Sequence, residues 1–267
     1  MDTLDLGLPP SLCLDREGEV AVLTLTRVAK RNALDDATIE GLAAFFGRPP
    51  DWAGAVVLAA EGEHFSAGLD LAELRERDAV EGLHHSRMWH RAFNLVESGR
   101  LPVVAVLKGA VVGGGLELAA ATHIRVAEPS AFFALPEGQH GLFVGGGASV
   151  RIPRLVGAHR MADMMLTGRV LSAAEAAEVG LVHYAVEQGA GLGRAIELAT
   201  RIAANSALTN YAVLQVLPRI AEASPETGLL MESLMSAVAQ SSAETKDRMG
   251  AFLAGRAPKV GASGRTA

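Results

Sequence analysis

The sequence predicts an α/β fold, and three observations carry that reading. Short apolar or β-branched runs (Glu19–Thr26, Gly54–Ala60, Val103–Leu107) alternate with stretches of helical periodicity through about the first 200 residues. Glycine-rich turns stand at the joins, and the 29 glycines of the chain suit tight turns and closely packed backbones. From about residue 190 onward the pattern is helical throughout. The expected organisation is a mixed core over residues 1–200 and a helical C-terminal region over residues 201–267.

Residues 1–18 are expected to be loose, because Leu8-Pro9-Pro10 resists regular structure. Glu19–Thr26 alternates apolar and polar residues as a half-buried strand does. Arg27–Leu34 reads as a basic, polar loop, and Asp35-Asp36 as the cap of a helix running to about Phe46. Gly54–Ala60 is a short buried strand, followed by a loop at Glu61–His64. A polar helix is expected over about 79–99, and Val103–Leu107 is the strand that feeds the main glycine run. His123–Ala127 reads as the next strand and Ala134–Gly138 as a loop; Gly145–Gly147 then opens a helix ending near Leu155. Leu171–Glu175 reads as a capped helix start, and Leu181–Val186 as a strand. Helices are expected at 190–204, 206–222, 225–242 and 243–254.

A formal net charge of −6 speaks against nucleic acid, for which a basic patch is required. With 49% hydrophobic and 20% charged residues, the 267-residue chain can bury a sizeable core and is not disordered. The single cysteine, Cys13, excludes an internal disulfide and a cysteine-rich zinc site. With no signal peptide and no apolar run long enough to span a bilayer, a cytoplasmic protein that does not engage membranes is expected.

Chemistry concentrates around Gly109–Ala120. Gly113-Gly114-Gly115 stands between a β-branched run and a small-residue helical run, where backbone N–H groups are left free for an anion, or for an oxygen that becomes one during a reaction. Glu117 follows in apolar surroundings. An anion-stabilising amide beside a carboxylate that can move protons outlines a catalytic site.

Four segments in order extend this outline: Lys30-Arg31-Asn32-Ala33-Leu34; Phe65-Ser66-Ala67-Gly68-Leu69-Asp70-Leu71; Gly113-Gly114-Gly115-Leu116-Glu117-Leu118-Ala119; and Pro136-Glu137 followed by Gly145-Gly146-Gly147. Together they resemble the enoyl-CoA hydratase/isomerase (crotonase) superfamily over nearly the whole chain, and its two-glutamate hydratase subgroup in particular. The resemblance implies a crotonase fold, a superhelix of repeated β-β-α turns with a helical C-terminal trimerisation region. It also implies a trimer or a dimer of trimers, acting on an acyl-CoA thioester without metal or redox cofactor.

By the same resemblance the backbone N–H groups of Leu69 and Gly114 form the oxyanion hole for the thioester oxygen, where each donor is worth roughly 3–4 kcal/mol. Glu117 helps to activate water and Glu137 is the main α-carbon acid/base, while Gly145 helps to position the water or its neighbouring glutamate. Coenzyme A contacts fall on Ala29, Lys30, Ala67, Asp70, Leu71 and Gly113, with Phe252, Arg256 and Lys259 covering it from a neighbouring subunit. The implied reaction is reversible hydration of a trans-2-enoyl-CoA. Isomerisation with one glutamate, thioester hydrolysis of the kind that accompanies methylthioacryloyl-CoA hydration, and a non-enzymatic binding role are the alternatives.

Other residues carry competing readings. His84, His85 and His90 invite a metal, but no nearby carboxylate or cysteine completes a ligand set, so a solvated or pocket-lining helix is the expectation. Trp89 and Phe93, one helical step apart, read as packing or as the wall of an acyl pocket. Two departures from the family pattern stand out. Arg27-Val28-Ala29 replaces the proline usual before the Asn-Ala-Leu segment, and polar Gly138-Gln139-His140 follows Glu137, pointing to a more hydrophilic or branched acyl group or to hydrolysis of the hydrated product.

Overall fold

The structure is a computed structural model and describes residues 2–3, 7–73 and 76–254. Two compact units meet in the chain between Ala204 and Asn205. The first runs β1 (Asp2–Thr3), β2 (Leu12–Glu17), β3 (Val20–Leu25), α1 (Asp36–Gly47), β4 (Ala55–Ala60), α2 (Ala79–Glu97), β5 (Val103–Leu107), β6 (Ala110–Val112) and α3 (Gly114–Ala121). It continues through β7 (Ile124–Ala127), β8 (Phe132–Ala134), α4 (Ala148–Val156), α5 (Ala158–Thr167), β9 (Leu171–Ser172), α6 (Ala173–Glu178), β10 (Tyr184–Ala185) and α7 (Gly191–Ala203). The second unit is helical: α8 (Ala207–Tyr211), a π turn (Ala212–Val216), α9 (Leu217–Glu222), α10 (Pro225–Ser241) and α11 (Ala243–Leu253).

Seven strands make the main sheet in the order β1-β2-β3-β4-β5-β7-β10. The first two pairings are antiparallel and the rest parallel. Parallel strands covered on both faces read as continuous apolar runs, and that is why Ala55–Ala60 and Val103–Leu107 contain no polar residue. Ala21, Leu23, Val56 and Leu58 face a core shared with Ile39 and Phe45 of α1 and Phe93 and Val96 of α2. Alternate residues Val20, Val22, Val57, Val104 and Val126 face a second core closed by Ala195, Leu198 and Ala199 of α7.

The repeat that the sequence implies is present. A strand of the main sheet, a short turn, a second short strand and a helix recur as β5-β6-α3 and again as β7-β8-α4. β6 and β8 pair in parallel and β9 closes this smaller sheet antiparallel. In the corresponding place after β4, Ser66 bridges to Val111 and Leu69 to Leu34. The second strands therefore line up beside one another and bring the turns that follow them to one place.

Several expectations are corrected. Residues 12–17, expected to be loose, form β2: the prolines end at Pro10, and Leu12 and Leu14 bury themselves beside β3. β3 is not half-buried, since Val20, Ala21, Val22, Leu23 and Leu25 are all inside. Between β5 and the glycine turn lies the extra strand β6. Pro136–His140 is a 3₁₀ turn where a loop is expected. Leu181–Val186 joins β7 only from His183 onward, because the N–H groups of Leu181 and Val182 both go to the Ala176 carbonyl in α6. Helix α5 was unanticipated; it starts after Gly157 and buries only Met161 and Met164, a thin apolar signal.

Asp35 caps α1 as expected, accepting from the Thr38 N–H at 2.8 Å and lying 3.3 Å from Arg27. Asp35→Ala is expected to lower stability by about 1 kcal/mol, the usual worth of such a cap, as read by urea unfolding.

Candidate active site

Hydrogen bonds on either side of two peptide groups fix the centre of the site. Leu34 donates to the Gly68 carbonyl (2.7 Å) and accepts from Asp70 N–H (2.9 Å), gripping the residues that flank Leu69. Ser66 N–H donates to Ala110, Val112 N–H to Ser66, and Gly113 N–H to Ala134. The N–H groups of Leu69 and Gly114 are left without an acceptor among the described residues. They are close neighbours: a Cβ on Gly114 would lie 3.5 Å from the Leu69 nitrogen, and one on Gly68 would lie 3.2 Å from the Gly114 nitrogen.

Two glycines are required here by geometry. Gly68 has φ +91°, and any Cβ on it would meet the Val112 carbonyl oxygen at 2.7 Å. Gly113 has φ 52° and ψ −122°, which turns the chain so that α3 starts at Gly114 with its first N–H groups facing out. The indole of Trp89 packs on Gly114, 2.6 Å from where its Cβ would stand, and meets Phe93 edge-on at 5.5 Å. Trp89 is therefore both core and wall of the amide site.

Glu117 lies in the first turn of α3 and is only 4% exposed. Its Oε1 accepts from the N–H groups of Gly146 (2.8 Å) and Ala148 (3.0 Å). Burial pushes its pKa up, while those amides and the charge of Arg151 oppose the rise. Glu137 sits in the 3₁₀ turn after Pro136, with Oε1 3.0 Å from the Cβ position of Gly113, so it faces the turn that presents Gly114. Its Oε2 is buried without a hydrogen-bond partner. Burial first, and the nearby charge of Glu117 next, push its pKa up to about 7. Two carboxyls whose pKa values burial raises thus stand at the two glycine turns of the site.

The family model for enoyl-CoA hydratase/isomerase matches residues 15–262. The chain belongs to the enoyl-CoA hydratase/isomerase family. A short-chain-enoyl-CoA hydratase of Clostridium acetobutylicum is 32% identical over 246 residues, 91% of this chain and 94% of that protein. A crystal structure from Rhodopseudomonas palustris, described as a candidate enoyl-CoA hydratase, is 58% identical with a TM-score of 0.90, covering 92% of this chain and 95% of that one. The enoyl-CoA hydratase of Bacillus anthracis is 30% identical with a TM-score of 0.87, covering 93% and 98%.

In this member of the enoyl-CoA hydratase/isomerase family, Ala29 and Lys30 are exposed on a 3₁₀ turn, Leu71 is exposed and Ala67 half-buried. Asp70 is buried and engaged, accepting from Arg27 (2.6 Å) and Ala72 N–H (3.0 Å), contacts that hold its carboxyl below the usual range. Gly145 offers its carbonyl to Ser86 Oγ at 2.7 Å. Phe252 is exposed on α11, and Arg256 and Lys259 lie outside the described residues. His85 meets Asp36 at 2.8 Å, whereas His84 and His90 are exposed. Gln139 packs against Gly168 beyond α5.

Sequence reasoning missed Asn32 and Arg151. Asn32, at φ 53°, donates from its buried amide to the carbonyls of Glu61 and His64 and so locks the loop before Phe65. Arg151 is taken up below. A cavity of about 550 Å³ lies elsewhere, at the carboxyl ends of β4, β5 and β7, lined by residues such as His64, Lys108 and Glu128. Neither glutamate lines it, and the convergence of carboxyls and amides outweighs its volume in locating the chemistry.

A carboxyl with a folded pKa near 7 against an ordinary 4.5 costs the protein stability as pH rises through that window, with the full cost above it. Glu137→Gln is therefore expected to melt above the parent at about pH 8, the gain shrinking towards about pH 5. Thermal unfolding followed by circular dichroism checks this; a difference independent of pH means that Glu137 has ordinary acidity.

Proposed function

We propose that the protein is an enoyl-CoA hydratase that adds water reversibly, and syn, across the 2,3 double bond of a trans-2-enoyl-CoA thioester. The observation that carries this reading is that Glu117, in the first turn of the helix that begins at Gly114, and Glu137, which faces Gly113, lie close enough for their charges to interact. The names of its relatives support it, among them a 2,3-dehydroadipyl-CoA hydratase of Escherichia coli, 32% identical over 92% of this chain and 97% of that protein.

Glu117 takes a proton from water through Oε2, since Oε1 is occupied by two amides. The water oxygen bonds to C3 and the π electrons move through C2 to the thioester oxygen. That oxygen, now carrying enolate charge, is held by the N–H groups of Leu69 and Gly114, which are aimed before the reaction starts. Glu137, protonated up to about pH 7, delivers its proton to C2. The step leaves Glu117 protonated and Glu137 ionised, and a proton passed from the first to the second through solvent water restores the starting state, so the cycle balances with water, the thioester and the two carboxyls. An isomerase needs one of these carboxyls; the presence of both favours hydration.

Coenzyme A is assigned to Ala29, Lys30, Ala67, Asp70, Leu71 and Gly113, of which Ala29, Lys30 and Leu71 are exposed. The exposed Leu230, Leu234 and Val238 stripe on α10 is assigned to self-association as a trimer or dimer of trimers, with the exposed Phe252 assigned to a neighbour's coenzyme A. No helix among the described residues is long and apolar enough to cross a membrane, and the cytoplasm is the proposed location.

Crotonyl-CoA and a panel of longer, branched and polar enoyl-CoAs test the reaction, with loss of conjugated absorbance and release of free thiol followed together. Glu117→Gln and Glu137→Gln are each expected to lower kcat by roughly 10²–10⁴-fold. Thiol release in step with substrate loss would move the reaction to thioester hydrolysis, and unchanged turnover in both variants would remove the glutamates from the mechanism. Light scattering on the eluting protein is expected to give three or six times the 27.8 kDa chain mass, and Leu234→Glu to reduce it.

A further inference from the structure

The turn that holds Glu117 has little stiffness of its own. Gly145-Gly146-Gly147 consists of the residues with the greatest backbone freedom, yet the N–H groups of Gly146 and Ala148 converge on one oxygen. Outside contacts must supply the order. Ser86 of α2 holds the Gly145 carbonyl, and Arg151 Nη1 donates to the Gly146 carbonyl at 3.1 Å. The guanidinium lies against Gly147, 2.3 Å from where a Cβ would be, so that this glycine, at φ +107°, leaves room for it.

The rest of the guanidinium is committed to α2. Nε and Nη2 reach Glu97 Oε2 at 2.9 and 2.8 Å, and Nη2 donates to Asn94 Oδ1 at 2.6 Å. Asn94 and Glu97 are one turn apart on α2, and Arg151 is 5% exposed. A buried ion pair is a poor source of stability by itself, whereas a planar fork gripped on one edge is a good way to fix what the other edge touches.

We infer that Arg151 is a positioning residue for Glu117: clamped by Asn94 and Glu97, it sets the Gly145–Gly147 turn so that two amides occupy Oε1 and leave Oε2 to the water. The inference rests on the hydratase reading above. Its positive charge also favours the carboxylate form of Glu117. The charged and titratable groups around this carboxylate are Glu137 on the 3₁₀ turn and Arg151 on α4, with Glu97 and His90 of α2 beside Arg151.

The test compares the parent protein with Arg151→Met, Arg151→Lys and Asn94→Leu on crotonyl-CoA across pH, each checked for fold by circular dichroism. Arg151→Met is expected to lower kcat by at least about 30-fold while KM stays within about threefold, the signature of a lost transition-state contribution. The acid limb of its kcat profile is expected to move to higher pH, because Glu117 loses a cation. Arg151→Lys is expected to restore that limb more fully than it restores kcat. Asn94→Leu, which loosens the clamp but keeps the charge, is expected to lower kcat several-fold with the limb in place, and it carries the test if Arg151→Met does not fold. A parent that does not hydrate any enoyl-CoA overturns the hydratase reading and this inference with it. A parent that hydrates, with Asn94→Leu and any folded Arg151 variant within about twofold in kcat, overturns this inference alone.

Discussion

Backbone amides that neither sheet nor helix consumes are the constraint on which the rest of the structure depends. A buried N–H without an acceptor is costly, so a chain that keeps Leu69 and Gly114 open must tie down everything around them. Leu34, Ser66, Ala110 and Ala134 do so through main-chain bonds on either side, and the repeated strand-turn-strand-helix unit exists in a form that brings those bonds together. Gly68 and Gly113 follow from the same demand, because no side chain fits at Gly68, where the two loops touch, and Gly113 turns the chain at φ 52°.

The carboxyls obey a second constraint. Glu117 is buried and Glu137 half-buried, and loss of water raises the pKa of both, but their hydrogen bonds differ. Glu117 meets the N–H groups ahead of α4 and the field of Arg151, which oppose its desolvation. Glu137 receives no such support at Oε2 and holds its proton up to near neutrality. The two therefore differ in hydrogen bonding and not in residue type, which is the difference the proposed base and acid roles draw on. The cost falls on stability, as is common where a site is built from unsatisfied groups.

Much of this was legible in the sequence, because the chemistry is local in the chain. The Phe65–Leu71 and Gly113–Ala119 segments each carry their own turn, and the apolar runs of β4 and β5 announce a sheet covered on both faces. The main helices were readable from their periodicity and from caps at Asp35 and Ser172. What lay hidden depends on distance in the chain. Arg151 finds its partners 54 and 57 residues earlier, and no local pattern marks Asn94 or Glu97. The acidity of Glu137 is set by enclosure, which its polar neighbours Gly138, Gln139 and His140 disguise; Gln139 in fact packs towards α5. β2 was hidden by two prolines that end just before it.

In the proposed mechanism Leu69 serves the oxyanion with its amide alone, while its side chain is half-buried and packs at the edge of the main core. The two contributions are separable in heredity. A codon change at this position alters the shape beside the thioester and leaves the donor in place, since every residue except proline brings the same N–H. The fold therefore protects its charge-stabilising device from point mutation while leaving the adjacent surface free to drift, and new acyl groups can be sampled without rebuilding the reaction.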